Sequence, residues 1–132
     1  VGNRNNDLFE AVSEAAINKI ETFDAQNLAN TVWAYAKVGN RNTSNVLFEA
    51  VSEAAINKIE TFNHQNLANT VWAYAKVGNR NNDLFEAVSD AAINKIETFD
   101  AQNLANTVWA YAKVGFGNRN NDLFEAVSDA AI

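Results

Sequence analysis

Leu8, Phe9, Val12, Ala16, Ile20 and Phe23 fall on one arc when successive residues are turned by about 100°, the spacing of an amphipathic helix. This pattern predicts a helix from Asp7 to about Phe23, here called helix B, with Asn6 or Asn5 as N-cap. Asp7 and Glu10 suit the positive end of its dipole. A second arc of Leu28, Ala29, Val32, Trp33, Tyr35 and Ala36 predicts helix A from Asp24 to Val38, started by Asp24 and stopped by Gly39. The run Thr31 to Tyr35 is dense in β-branched and aromatic residues and would also suit a strand. The alanines, the two caps and the length of the segment decide for helix. Trp33 is expected to seat between helices, where truncation to alanine would cost about 3–5 kcal/mol.

The pattern then repeats. Asn27 to Gly39 recurs letter for letter at Asn66 to Gly78 and at Asn103 to Gly115. Trp33 and Trp72 are 39 positions apart and Trp72 and Trp109 are 37 apart, and the difference lies entirely in the Gly/Asn segment between helix A and the next helix B. Insertions that gather there mark it as the loop, with the apolar segments as packed helices. Only Thr22 separates helix B from the Phe23-Asp24 corner, so a tight turn and antiparallel packing are expected. A unit of this size cannot bury its apolar face alone and must stack on its copies. The expected fold is all-α, a right-handed α-solenoid of αα-hairpins with a period of about 37–39 residues. Its units are about 1–39, 40–78 and 79–117, with a partial unit at 118–132.

Composition narrows the chemistry. The chain has 132 residues, 48% of them hydrophobic, enough for one continuous core. It contains no cysteine, methionine or proline, which removes thiol chemistry and disulfides and reads as a segment of a longer protein or a consensus array. No apolar run approaches the roughly 18 residues of a membrane span. The net charge of −6 counts against a nucleic-acid partner if it is evenly spread.

It is not evenly spread. Helix B carries Glu10, Glu14 and Glu21 on one stripe, whereas the polar arc of helix A holds Gln26, Asn27, Asn30, Thr31 and Lys37 and no carboxylate. The lysine recurs as Lys76 and Lys113, and the adjoining loops add Arg4, Arg41, Arg80 and Arg119. Amides offer a donor and an acceptor together, which matches base edges, and the cations meet phosphates. The candidate contacts with single-stranded RNA are therefore Asn27, Asn30, Thr31, Lys37 and Arg41, their copies Asn66, Asn69, Thr70, Lys76 and Arg80, and Asn103, Asn106, Thr107, Lys113 and Arg119. In the purely structural reading the same amides solvate the solenoid and the arginines brace the loops.

The stretch Asn27-Leu28-Ala29-Asn30-Thr31-Val32-Trp33-Ala34-Tyr35-Ala36-Lys37-Val38-Gly39, followed by a Leu-Phe-Glu-Ala helix, resembles the repeats of organellar RNA-binding proteins of algae and protists. These are the octotricopeptide-type repeats, related in pattern to FAST-kinase-like and RAP-containing proteins. The resemblance covers essentially the whole chain. It implies an αα-solenoid with helix A lining the inner face, acting on transcripts of a chloroplast or mitochondrion. Because the units are nearly identical, they would suit a homopolymeric or repetitive target, or a structural role.

No catalytic residue, metal site or cofactor is expected. His64, the only histidine, replaces Ala25 and Ala101 in the first turn of helix A, where exposure is the default. Glu10 and Glu14 read as a solvated stripe rather than metal ligands. There is no phosphate-binding loop and no nucleophile with a paired base. The reading is a non-enzymatic platform that grips single-stranded RNA along helix A. The alternatives are a scaffold subunit that binds protein partners in a larger organellar complex, or an engineered consensus repeat.

Overall fold

The computed structural model describes residues 2–39, 44–115 and 121–131, of which 2–6, 44–45 and 121 are described by their main chain alone. Seven α-helices are present among them: α1 (Gly2–Asn18), α2 (Ala25–Val38), α3 (Ser44–Asn57), α4 (His64–Lys76), α5 (Asn82–Asn94), α6 (Ala101–Val114) and α7 (Asn121–Ala131). The described residues contain no strand, so the Thr31–Tyr35 stretch is helical. Helices of type A (α2, α4, α6) pack side by side in one layer. Those of type B (α1, α3, α5, α7) form the layer behind, a solenoid-like stack of hairpins.

Helix A begins and ends as its sequence requires. Asp24, Asn63 and Asp100 each accept the N–H of the asparagine three residues on, and that asparagine's side chain returns a bond to the cap's own N–H, closing a capping box. Gly39 and Gly115 stop α2 and α6 at φ of 69° and 75°.

Helix B is shorter than its periodicity suggests. It stops at Asn18, Asn57 and Asn94, and a single 3₁₀ turn follows at Ile20–Thr22, Ile59–Thr61 and Ile96–Thr98. The cause is local. The hydroxyls of Thr22, Thr61 and Thr98 donate to the carbonyls of Lys19, Lys58 and Lys95 at 2.6–2.7 Å, and the threonine N–H groups donate to the same oxygens. That arrangement tightens the last turn from α to 3₁₀. At the other end, Asn81 caps α5 through the Leu84 N–H at 3.0 Å, as expected of its equivalent Asn5. In α1, however, the helix already begins at Gly2.

Two contacts per unit hold the layers together. Tyr35, Tyr74 and Tyr111 of the A helices donate their hydroxyls to the carbonyls of Phe9, Phe48 and Phe85, at 2.5–2.6 Å, and their rings meet those phenylalanines edge-on at 4.8–5.0 Å. Because the end of helix A meets the start of helix B, the two run antiparallel. Between units, the Lys58 ammonium donates to the carbonyls of Glu21 and Phe23, and that of Lys95 to those of Glu60 and Phe62. Each lysine thus secures the corner of the preceding unit.

The A-helix ridge as a candidate nucleic-acid interface

A helix A inside the stack has neighbours on three sides. Leu67, Val71 and Tyr74 face the B layer, Asn66, Thr70 and Ala73 face α2, and Ala68 and Ala75 pack on the other flank, all of them buried. What remains free is one narrow stripe at the spacing i, i+4, i+7, i+11, pointing away from the B layer. In α2 it reads Gln26, Asn30, Trp33, Lys37. In α4 it reads Gln65, Asn69, Trp72, Lys76, and in α6 Gln102, Asn106, Trp109, Lys113.

Stacking the helices in parallel turns these stripes into rows. Trp33, Trp72 and Trp109 form a ladder with centroids 6.4 and 6.3 Å apart and ring planes tilted by 36° and 32°. The ammonium groups of Lys37, Lys76 and Lys113 lie over the same three rings, 5.3, 6.0 and 5.9 Å from their centroids, in cation–π geometry. On the other side of the ladder run two rows of amides. Two clefts open there, one of about 620 Å³ between α2 and α4 and one of about 310 Å³ between α4 and α6.

The sequence-derived candidates divide accordingly. Asn30, Asn69, Asn106, Lys37, Lys76 and Lys113 stand on the ridge. Arg80 is exposed, and its guanidinium lies 3.9 Å from where a Cβ on Gly115 would stand, beside the C-terminal end of α6. Arg41 and Arg119 lie outside the described residues, as does the side chain of Arg4. Asn27, Asn66 and Asn103 use their side chains in the capping boxes, and the last two are buried. Thr31, Thr70 and Thr107 bond the carbonyls four residues back at 2.7 Å, with Thr70 and Thr107 buried in the seams. In α4 and α6 the preceding A helix covers that side, so Asn66, Thr70, Asn103 and Thr107 are off the open arc, whereas Asn27 is exposed and Thr31 half-buried on the uncovered flank of α2.

Trp33 is corrected in the opposite sense. It is 39% exposed and Trp109 41%, on the ridge rather than between helices. The signal was present in the sequence, since Trp33 sits three residues from Asn30 and four from Lys37 and so shares their face. His64 is half-buried rather than exposed, with its Nδ1 2.8 Å from Asn103 Oδ1.

Most carboxylates lie in the other layer, where Glu10, Glu14, Glu49, Glu53, Glu86, Asp90, Glu125 and Asp129 are all exposed on B helices. Among the described residues the four-residue stripes carry no carboxylate, but Asp24 and Asp100, the N-caps of α2 and α6, line the two clefts. No helix among the described residues is long and apolar enough to cross a membrane.

A surface of stacked indoles, cations and amides is of the kind that meets single-stranded nucleic acid. In comparison with known proteins, residues 1–132 match the family described as RNA-editing substrate-binding complex 6 protein. The chain belongs to that family. By its description, that family belongs to an RNA-editing complex, an RNA-related assembly. The expected kinship with RNA-associated helical proteins holds at this level, and the match is to this family rather than to octotricopeptide or FAST-kinase-like repeats. No curated protein matches the chain.

Proposed function

We propose that the chain is a non-enzymatic platform binding single-stranded RNA along the A-helix ridge. The observation that carries this reading is the three-rung ladder of tryptophans, each with a lysine over its ring. Across the ridge the order is cation, indole, amide, amide. That is also the order phosphate, base face, base edge for a strand laid across the three helices. The rings lie 6.4 and 6.3 Å apart, centroid to centroid, and together form a continuous aromatic surface on which bases can stack. The pattern is analogous to octotricopeptide-type repeats in using one helix of each pair. Family membership supports an organellar site, the mitochondrion rather than the chloroplast.

The test is salt-dependent binding of a single-stranded oligonucleotide. Replacing Lys37, Lys76 and Lys113 together by glutamine removes three charges, and should lower the magnitude of the slope of log affinity against log salt by about 2, at about 0.7 per single-strand phosphate. Glutamate at the same positions should abolish binding. An affinity and slope unchanged by either triple variant would overturn the reading.

The segregated carboxylates of the B layer favour a second, compatible role as a scaffold whose rear face docks basic surfaces of neighbouring proteins. Partners that remain bound after nuclease treatment, and leave when Glu49, Glu53, Glu86 and Asp90 are made neutral, would establish it.

A further inference from the structure

The stretches 24–39, 63–78 and 100–115 differ from one another at two positions only. Asp24 and Asp100 correspond to Asn63, and Ala25 and Ala101 correspond to His64. The second difference changes the shape of a seam. His64 projects toward α6, where its Nδ1 lies 2.8 Å from Asn103 Oδ1 and its ring centroid 6.5 Å from that of Phe99. The same amide oxygen accepts the Asp100 N–H at 3.1 Å, which fixes the amide's orientation. An amide oxygen only accepts, so Nδ1 is the nitrogen that carries the proton. A heteroaromatic ring N–H therefore occupies this position between α4 and α6, in the smaller cleft.

Between α2 and α4 the receptor for such a ring is present without the ring. Asn66 Oδ1 accepts the Asn63 N–H at 3.1 Å, as Asn103 Oδ1 accepts that of Asp100, and an amide oxygen has a second lone pair for a further donor. Ala25 offers a methyl group there, and the cleft is about 620 Å³ against about 310 Å³. Gln26, Asn30, Gln65 and Asn69 line it, with one charge of each sign, the Asp24 carboxylate and the Lys58 ammonium, at its edge.

We propose that the α2–α4 cleft is a nucleobase pocket for a base with a ring N–H, uracil or guanine, which donates to Asn66 Oδ1 as His64 does to Asn103. His64 fills the equivalent place in the next seam, so this nearly uniform array takes a strand in one register. The inference rests on the RNA reading above.

The test uses the 132-residue chain with oligouridylate and with the same oligomer built from N3-methyluridine, which lacks the ring N–H. The wild type should bind the methylated strand about tenfold more weakly, the worth of one hydrogen bond to a buried acceptor. Ala25→His should bind oligouridylate about tenfold more weakly too, and should no longer distinguish the two strands. His64→Ala should open a second place and add a photocrosslink from 4-thiouridine to α6. A wild type that binds both strands equally, while keeping its lysine-dependent salt slope, would overturn the pocket alone. Failure to bind either strand would overturn the ridge reading as well.

Discussion

Tyr74 shows how one side chain joins two layers. Its ring packs edge-on against Phe48 and its hydroxyl donates to the Phe48 carbonyl. Burial pushes the phenol above its ordinary value, and Tyr111 is raised for the same reason, with the Asp90 charge adding to it. A phenol raised in the folded state contributes its full stability below the unfolded value of about 10 and loses it as pH climbs beyond. Tyr74→Phe should therefore cost about 1 kcal/mol at neutral pH, the net worth of one hydrogen bond, and should flatten the decline in stability above about pH 10. Urea unfolding at both pH values measures the two effects. At this scale the sequence was legible for Leu28, Val32 and Tyr35, which lie in the predicted apolar arc and are buried. It misled for Trp33, which is exposed, and for Thr70 and Thr107, which are buried, because an arc shows which residues are apolar and not how many neighbours flank a helix. The place of His64 was not legible, since it depends on a partner, Asn103, 39 residues away.

Among the elements, helix A is the one whose limits the local chemistry dictates, with a capping box before it and a positive-φ glycine after it. Gly78 has a φ of 77°, and a Cβ added there would meet nothing within 4 Å, so the conformation alone decides the outcome of a substitution. Gly78→Ala should lower stability by about 1–2 kcal/mol without altering packing, and Gly78→Asn by less, since asparagine tolerates the left-handed region. Thermal melts followed by circular dichroism, with unchanged spectra, distinguish this from a packing defect. The length of helix B was overestimated because Ile20 and Phe23 continue the helical spacing through a segment that the threonine back-bonds tighten into 3₁₀ form. Periodicity registers sidedness, and both kinds of turn preserve it over so short a stretch.

For the whole molecule, the two-layer stack and its division into a carboxylate face and a cation–indole–amide face could be foreseen from the repeat, because each unit has the same polarity. The alignment of the rows could not, as it depends on how closely adjacent A helices approach. Among the described residues, stacking also leaves one apolar flank without a neighbour at each end. Leu8 is 61% and Val12 43% exposed, although their equivalents Leu47, Val51, Leu84 and Val88 are fully buried. At the other end Phe99, Leu104, Val108 and Val127 line an apolar depression. These 132 residues should accordingly associate head to tail as concentration rises, and Leu8→Glu with Val12→Lys should return them to monomers in sedimentation experiments. The lysine clamps carry a consequence for how such a chain can grow. Lys58 and Lys95 grip carbonyl oxygens, a group every amino acid possesses, so the joint does not depend on which side chains the adjoining hairpin displays. Whole hairpins can be duplicated or lost over generations, and their outward residues altered, while the same coupling is reused.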